Sequence, residues 1–322
     1  MFVGHGLLAF ALAAAAARVR GWSPERALAL GLLAGAFGLA PDVDILYAPV
    51  GVLGASGPLD AASGFWRAGN EVHRAVTHSL VVATVASLAA GAWTTGRRPG
   101  RLGAVAALSA TVAVAFAVSG ALGAVVLAAF GVAVLGLARV GRAHLGLGPA
   151  AVATAGAVGT LTHPFGDLFT GEPPAILYPL DVTVFVERVV LAPDPTLHLL
   201  GALFVELGTA WLAALVLVWL RDDGLPAWPG IGSLAARIDR RAGIGLGYAG
   251  AAVLIPAPTL EVSYHFVFPL LAVGAGVTAA AAIGEARAAG DRWRGIERAA
   301  LSGLAAVTLA ALAYTAGYLL LG

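Results

Sequence analysis

The sequence lacks cysteine and lysine and is poor in charge. Without cysteine, disulfide bonds and thiolate metal sites are excluded. All 19 basic residues are arginine, and charged residues make up only 11% of the chain, against about 25% in soluble domains. The net charge of +1 gives no reason to expect nucleic acid as a partner. The composition therefore argues against a soluble globular protein and against a nucleic-acid-binding protein.

Apolar residues dominate the chain instead. They account for 59% of the 322 residues, and the mean hydropathy is +0.88, which is typical of an integral membrane protein. The first apolar segment has no basic region before it and no convincing cleavage site, so we expect a retained helix and not a signal peptide. These features predict an all-α, polytopic helix bundle in the cell membrane, surrounded by the lipid bilayer.

Ten apolar segments are candidates for membrane-spanning helices, because a bilayer core takes about 20 residues, with roughly 17 as the lower limit. Before the second segment, Ser23-Pro24 is a good helix start, since the hydroxyl can cap the helix and proline suits its first turn. The predicted spans are 4–19, 25–41, 77–95, 102–119, 121–138, 147–163, 196–220, 242–257, 262–284 and 299–321.

The arginines predict the orientation of these spans, because cytoplasmic loops are enriched in arginine and lysine. One set of connections holds only Arg67, Arg74 and Arg188, and the other 16 of the 19 arginines fall in the opposite set. We therefore expect both termini and the loops 42–76 and 164–195 to be extracytoplasmic. The loop 164–195 contains DVTVFVERVV, whose partial alternation could form a short hairpin or a lid over the outer face.

Seven histidine and aspartate side chains from four separate segments fall at this outer membrane face. They are His5, Asp42, Asp44, His73, His78, His163 and Asp167. Ionisable residues at membrane spans are rare and usually functional. Each motif also has an ordinary alternative: the Asp pair could be a solvated turn, and the histidine near the amino terminus an interfacial side chain.

The chemistry of these side chains suits metal ions, because imidazole and carboxylate groups bind Zn²⁺, Mn²⁺ and Fe²⁺. Seven ligands exceed the three of a mononuclear catalytic zinc site and are enough for two ions bridged by a carboxylate. Asp42 and Asp44 point the same way if their segment is extended. His163 and Asp167 share a helical face if the helix continues past Pro164. The sequence predicts a site for one or two ions, with Zn²⁺ first and Mn²⁺ or Fe²⁺ as alternatives.

The motifs also carry a family resemblance. GH near the start, PDVD after the second span, HRAVTHS before the third and HPFGDLFTGEPPAILYPL later resemble the YdjM-like membrane-bound metal-dependent hydrolases. The resemblance covers residues 1–185 and implies that the same seven side chains form the metal set. It also implies a hydrolase-like membrane core, 1–195, and a C-terminal four-helix membrane extension, 196–322. Ala75 stands where the family carries a glycine after HR.

The leading hypothesis is a hydrolase in which the metal activates a water molecule against an amphiphilic or lipid phosphoester, such as a phospholipid or a lipid-linked phosphate. Arg74 is the candidate for holding an anionic phosphate or carboxylate, or alternatively for orienting one of the two PDVD aspartates. Glu71 is the candidate general base, with a solvated loop carboxylate as the alternative. For Thr77 and Ser79, capping of the third span is preferred over support of the ligands.

Two other classes of function remain open. Glu206 lies inside the seventh span, where ionisable residues often mark ion pathways, so the second hypothesis is an ion-coupled transporter. The third is a non-catalytic membrane regulator whose metal is structural. Structural sites are closed and catalytic sites keep an open position, a difference that the sequence does not reveal.

Overall fold

The structure, a computed structural model, describes residues 2–69, 74, 76–221, 231–287 and 292–321. Within these ranges every regular element is helical and there is no strand, which confirms the predicted all-α class. The chain forms two compact units, Met1–Arg188 and Val189–Gly322, which are described separately.

The first unit carries all the motifs that predicted a metal site. Its elements are α1 (Phe2–Val19), α2 (Pro24–Leu39), a 3-10 helix (Ala40–Val52), α3 (Pro58–Gly69), α4 (Leu80–Thr94), α5 (Arg98–Ala143) and α6 (Pro149–Asp167). As predicted, Ser23 caps α2 through its hydroxyl, and Pro24 is the first helical residue.

The second unit packs α7, α10 and α11 around buried aromatic and aliphatic side chains such as Phe266, Leu270 and Tyr314. Its elements are α7 (Pro195–Arg221), α8 (Ile231–Ala235), a 3-10 helix (Arg240–Gly250), α9 (Ala251–Leu254), α10 (Tyr264–Arg287) and α11 (Arg292–Leu321). Glu206, the basis of the transporter hypothesis, is half-buried in α7.

Five helical stretches in the described residues are long and apolar enough to cross a membrane. They are Pro24–Val52, Arg98–Ala143, Pro195–Arg221, Tyr264–Gly284 and Arg292–Leu321, and the shorter apolar helices Val3–Val19 and Leu80–Thr94 accompany them. A multi-pass membrane protein is therefore supported, whereas the expected number of ten spans is not established. The predicted eighth span falls on the 3-10 helix Arg240–Gly250 and the single turn of α9.

The long helix α5 turns back on itself at Gly120, whose φ of 71° and ψ of −166° are not helical. A Cβ at Gly131 would lie 3.8 Å from the Leu108 side chain. In an unbroken helix these residues would be about 34 Å apart. The two halves of α5 are therefore antiparallel neighbours, and the turn separates the predicted spans 102–119 and 121–138.

Glycines allow α1, α2 and α6 to approach closely at the end of the unit where the polar motifs lie. A Cβ at Gly38 would come within 2.9 Å of the His5 carbonyl oxygen, and one at Gly159 within 2.6 Å of the Gly38 nitrogen. Small residues in helix interfaces permit such backbone contact in membranes. This packing brings the beginning of α1 beside the ends of α2 and α6.

The predicted hairpin in the loop 164–195 is wrong. Helix α6 continues through Pro164 to Asp167, and the residues that follow contain no strand up to the start of α7. The valines of DVTVFVERVV are exposed in irregular structure, because the chain offers no second strand for them to pair with.

Residues 168–180, here called the covering segment, pack against the start of α4. The Leu80 backbone N–H donates to the Ile176 carbonyl at 2.8 Å, and the Ser79 hydroxyl donates to the Tyr178 carbonyl at 2.5 Å. Ile176 and Tyr178 are buried. This segment therefore lies over the helix end that carries the HRAVTHS motif.

Candidate metal centre

Six of the seven predicted ligands lie together at one end of the first unit. They are His5, Asp42, Asp44, His78, His163 and Asp167. They lie at the beginning of α1, in the 3-10 helix that follows α2, just before α4, and at the end of α6. Helices α1 and α2 are antiparallel, as are α4 and α6, whereas α2 and α6 lie side by side in the same direction. These ends therefore meet, and the structure brings these six side chains together. The seventh, His73, and the predicted base Glu71 lie outside the described residues.

Four side-chain atoms form what we call the inner cluster: Asp42 Oδ1, His78 Nε2, His163 Nε2 and Asp167 Oδ2. The two nitrogens are 2.9 Å apart. Asp42 Oδ1 lies 3.9 Å and 3.5 Å from them, and Asp167 Oδ2 lies 3.0 Å and 3.7 Å from them. A tetrahedral ion with bonds of about 2.0–2.1 Å holds its ligand atoms about 3.3 Å apart. The five separations that involve a histidine nitrogen bracket that value, and Asp42, His78 and His163 form a group that could hold a metal ion.

The hydrogen-bond partner of His163 fixes which ring nitrogen faces the cluster. His163 Nδ1 lies 2.7 Å from the Gly38 carbonyl oxygen. A carbonyl oxygen only accepts, so Nδ1 carries the hydrogen and, in the neutral ring, Nε2 carries the lone pair. Such a bond to a backbone carbonyl is the usual partner of a metal-binding histidine.

His78 is oriented in the same way by a side chain that we expected to be a helix cap. The Thr77 hydroxyl lies 3.1 Å from Asp44 Oδ2 and 3.0 Å from His78 Nδ1. Since the carboxylate accepts from the hydroxyl, the hydroxyl oxygen accepts from Nδ1–H, and His78 Nε2 also carries a lone pair. Thr77 therefore supports a ligand, whereas Ser79 caps α4, as predicted, by accepting from the Val81 and Val82 N–H groups.

With both rings neutral and hydrogen on each Nδ1, two imidazole lone pairs at 2.9 Å, with carboxylate oxygens on either side, repel one another unless a proton or a metal ion lies between them. The side chains of His78 and His163 are completely buried, so water does not screen this repulsion. A divalent cation would relieve it and suits imidazole and carboxylate donors. The described residues therefore fit a metal ion.

The PDVD motif differs from expectation in its local geometry. The prediction that both aspartates point the same way assumed an extended chain, but PDVD lies in the 3-10 helix Ala40–Val52. With about three residues per turn, side chains two apart point in different directions. Asp42 joins the inner cluster, whereas Asp44 lies on the far side of the His78 ring, 3.5 Å from Nδ1.

His5 contacts the second oxygen of Asp167. His5 Nε2 lies 3.1 Å from Asp167 Oδ1, and its ring lies against His163 with the centroids 3.9 Å apart. Two groups of three side chains thus have metal-binding spacing. One is His5, His163 and Asp167, and the other is Asp42, His78 and His163. Because His163 has one nitrogen available, it can serve only one ion at a time, and the choice between one and two ions stays a prediction.

Within the described residues, the carboxylate at salt-bridge distance from Arg74 is that of Asp167, with Nη2 at 3.7 Å from Oδ1, and not that of Asp42 or Asp44. Its Nη1 donates to the carbonyls of Thr170 and Glu172, at 3.0 Å each. The backbone φ of Arg74 is 67°, in the left-handed region that non-glycine residues seldom adopt. Such strain is characteristic of functional sites.

The covering segment is shaped to receive the Arg74 side chain. A Cβ on Gly171 would overlap the guanidinium and force it to move aside, and the φ of 136° at Gly171 is one that other residues adopt only with strain. Arg74 and Asp42 are also the accessible edge of the site, with side chains 15% and 14% exposed, whereas those of His78, His163 and Asp44 are fully buried. Among the side chains named here, Arg74 and Asp42 are therefore the more accessible.

These features define a class: a polytopic helical membrane protein with a buried His/Asp cluster that could hold a metal ion at one end of its bundle. The family model of the YdjM inner membrane protein matches residues 1–222, and the chain belongs to that family. The matched region takes in α7 and so extends beyond residue 195, where we expected the family core to end.

Comparison with curated proteins and comparison with solved structures found no match.

Proposed function

We propose that this protein is a membrane-bound metal-dependent hydrolase, with Zn²⁺ as its metal and Mn²⁺ or Fe²⁺ as alternatives. The observation that carries the proposal is the inner cluster, in which a carboxylate oxygen of Asp42 and one of Asp167 lie 3.0 to 3.9 Å from the facing Nε2 atoms of two oriented histidines. A divalent cation held there would polarise a phosphoryl oxygen and lower the pKa of a water molecule.

The chain's own residues supply the rest of a hydrolytic site. Asp42, at the accessible edge, completes the ligand set and is placed to accept a proton from the attacking water. The Arg74 guanidinium lies 3.7 Å from the Asp167 carboxylate, and its buried Nε has no hydrogen-bond partner within the described residues. A guanidinium so placed suits an anionic phosphate, because it offers paired donors in a plane.

An amphiphilic substrate, such as a phospholipid or a lipid-linked phosphate, fits the surroundings of the site. The 3-10 helix that carries the PDVD motif also exposes Leu46 and Val50, and Leu53 directly follows it with 79% of its surface exposed. These apolar side chains would contact acyl chains while the headgroup reached Arg74. The arginine distribution predicts that this end of the bundle faces the extracytoplasmic side.

The test measures metal content and turnover on the same full-length preparations. Wild type should retain one or two equivalents of Zn²⁺, Mn²⁺ or Fe²⁺ by elemental analysis and release products from phospholipid or lipid-phosphate vesicles. His78→Ala should lose both properties. His144→Ala is the matched control, because this exposed histidine follows α5, outside the cluster, and both properties should persist. If a variant lacking both His78 and His163 still bound stoichiometric metal, the inner cluster would not be the metal site.

A regulator with a structural metal is the second candidate, favoured by the near-complete burial of the cluster. Closed coordination is the mark of structural sites. That candidate predicts metal in wild type, loss of metal in His78→Ala, and no product in either protein from any phosphoester tested.

A further inference from the structure

A second polar feature lies at the opposite end of the first unit. It is a cavity of about 170 Å³ where the end of α4 meets both ends of α5. The residues that line it are Trp93, Thr94, Gly96, Arg101, Arg139, Arg142 and Ala143. We call it the arginine cavity. Helix α4, about 22 Å long, separates it from the metal centre, so it belongs to a different site.

The charge of the arginine cavity is unbalanced. Its three charged lining residues are all arginines, and within the described residues no carboxylate lies at salt-bridge distance from Arg101, Arg139 or Arg142. The Arg101 guanidinium lies 5.8 Å from the Trp93 ring centroid, a cation–π contact that leaves the charge in place. All three arginines are exposed at the rim of this half-open cavity, where their like charges repel and an anion placed among them would be stabilised.

The size and position of the cavity indicate the anion. Sites for drug-sized molecules run from about 300 to 1,000 Å³, so this cavity suits a single small group. It adjoins one helix start, that of α5, and two helix ends, those of α4 and α5, so the helix dipoles give no net preference for an anion, and the three arginines provide the positive charge. Trp93, at the end of an apolar helix, is the kind of aromatic residue found at membrane interfaces.

We propose that the arginine cavity binds one phosphate group, presented either by an anionic phospholipid headgroup at the membrane surface or as free phosphate. Arginines that serve only to keep loops on the cytoplasmic side need not converge on one cavity. Here Arg101 and Arg139, from the two halves of α5, line the same cavity. Guanidinium groups are well suited to phosphate oxygens, and basic pockets between membrane helices bind lipid headgroups.

The experiment titrates purified full-length protein in neutral detergent and counts bound ligand by native mass spectrometry, with the melting temperature as a second readout. The three probes are phosphatidylglycerol, phosphatidylcholine and inorganic phosphate. We expect one saturable phosphatidylglycerol, bound more tightly than phosphatidylcholine and displaced by inorganic phosphate. Replacing all three arginines by glutamine should weaken binding by roughly 100-fold.

The control is Arg26→Gln, since Arg26 stacks on Trp22 at 4.8 Å in the same way but does not line the cavity. This variant should bind like wild type. If the triple variant does not fold, the single variants Arg101→Gln and Arg142→Gln provide the test. Each should weaken binding by roughly fivefold. Saturable binding of inorganic phosphate without phosphatidylglycerol would assign the site to free phosphate. Binding that is equal in wild type and in the single and triple variants, or no binding of any probe, overturns the proposal.

Discussion

His78 and His163 face one another through their Nε2 atoms, 2.9 Å apart, while each turns its Nδ1 toward a separate hydrogen-bond acceptor. The acceptors are a threonine hydroxyl in one case and a backbone carbonyl in the other, so both rings are fixed before any ion binds. Preorganised donors of this kind are what a tight metal site needs, and the first predictions concern them.

Thr77→Val should weaken metal binding while leaving the ligands in place. The substitution keeps the side-chain shape but removes the acceptor of His78 Nδ1–H, and loss of such outer partners costs about 10–100-fold in affinity. Competition with a chromogenic chelator measures the effect. Thr84→Val is the control, since this exposed hydroxyl bonds only to its own helix. Equal affinities in the two variants would contradict the assigned role of Thr77.

Chelation should destabilise wild type far more than His163→Ala. A ligand that binds only the folded state adds about 4 kcal/mol at a thousandfold excess over its Kd. Without His163 the inner cluster loses one of its two nitrogens, so there is little bound metal for the chelator to remove. Thermal unfolding with and without chelator gives the comparison. The same drop in melting temperature in both proteins would place the metal elsewhere.

Gly171→Ala should lower turnover while metal content stays near that of wild type. The added methyl group overlaps the Arg74 guanidinium and displaces it, and a misplacement of about 1 Å in a catalytic site costs up to 100-fold in rate. Gly54→Ala separates this effect from backbone strain, because Gly54 also has a positive φ, 83°, but has no neighbour within 4 Å of an added Cβ among the described residues. An equal loss of turnover in both variants would count against Arg74.

Gly159→Ala should destabilise the protein and reduce its metal content together. A methyl group there meets the Ala34 carbonyl oxygen at 2.5 Å, so α6 must move away from α2 and carry His163 with it. Overpacking of this kind costs about 1–3 kcal/mol. Gly136→Ala, with nothing within 4 Å among the described residues, should leave the melting temperature unchanged or raise it. Full metal content in Gly159→Ala would show that this contact does not position the site.

The convergence of the ligands could be predicted from the sequence because it depends only on the order of the helices. Spans that alternate in direction place the PDVD aspartates and the HRAVTHS histidines at one membrane face whatever their detailed packing. The roles of Asp44 and Thr77 could not be predicted, because they depend on a 3-10 helix where an extended chain was expected. The partner of Arg74 was equally inaccessible, since it belongs to a segment nearly a hundred residues later.

The turn at Gly120 links the two ends of the first unit. Arg101 and Arg139 share a cavity only because α5 reverses there, about 28 Å away. The neighbouring Ser119 hydroxyl is hydrogen-bonded at 3.1 Å to the hydroxyl of Tyr178, in the covering segment of the metal centre. The distance between Arg101 and Arg139 therefore depends on the backbone conformation at Gly120. Because the chain has no native cysteine, spin labels introduced at positions 101 and 139 would measure whether adding or removing metal at the opposite end changes the distance between the two halves of α5.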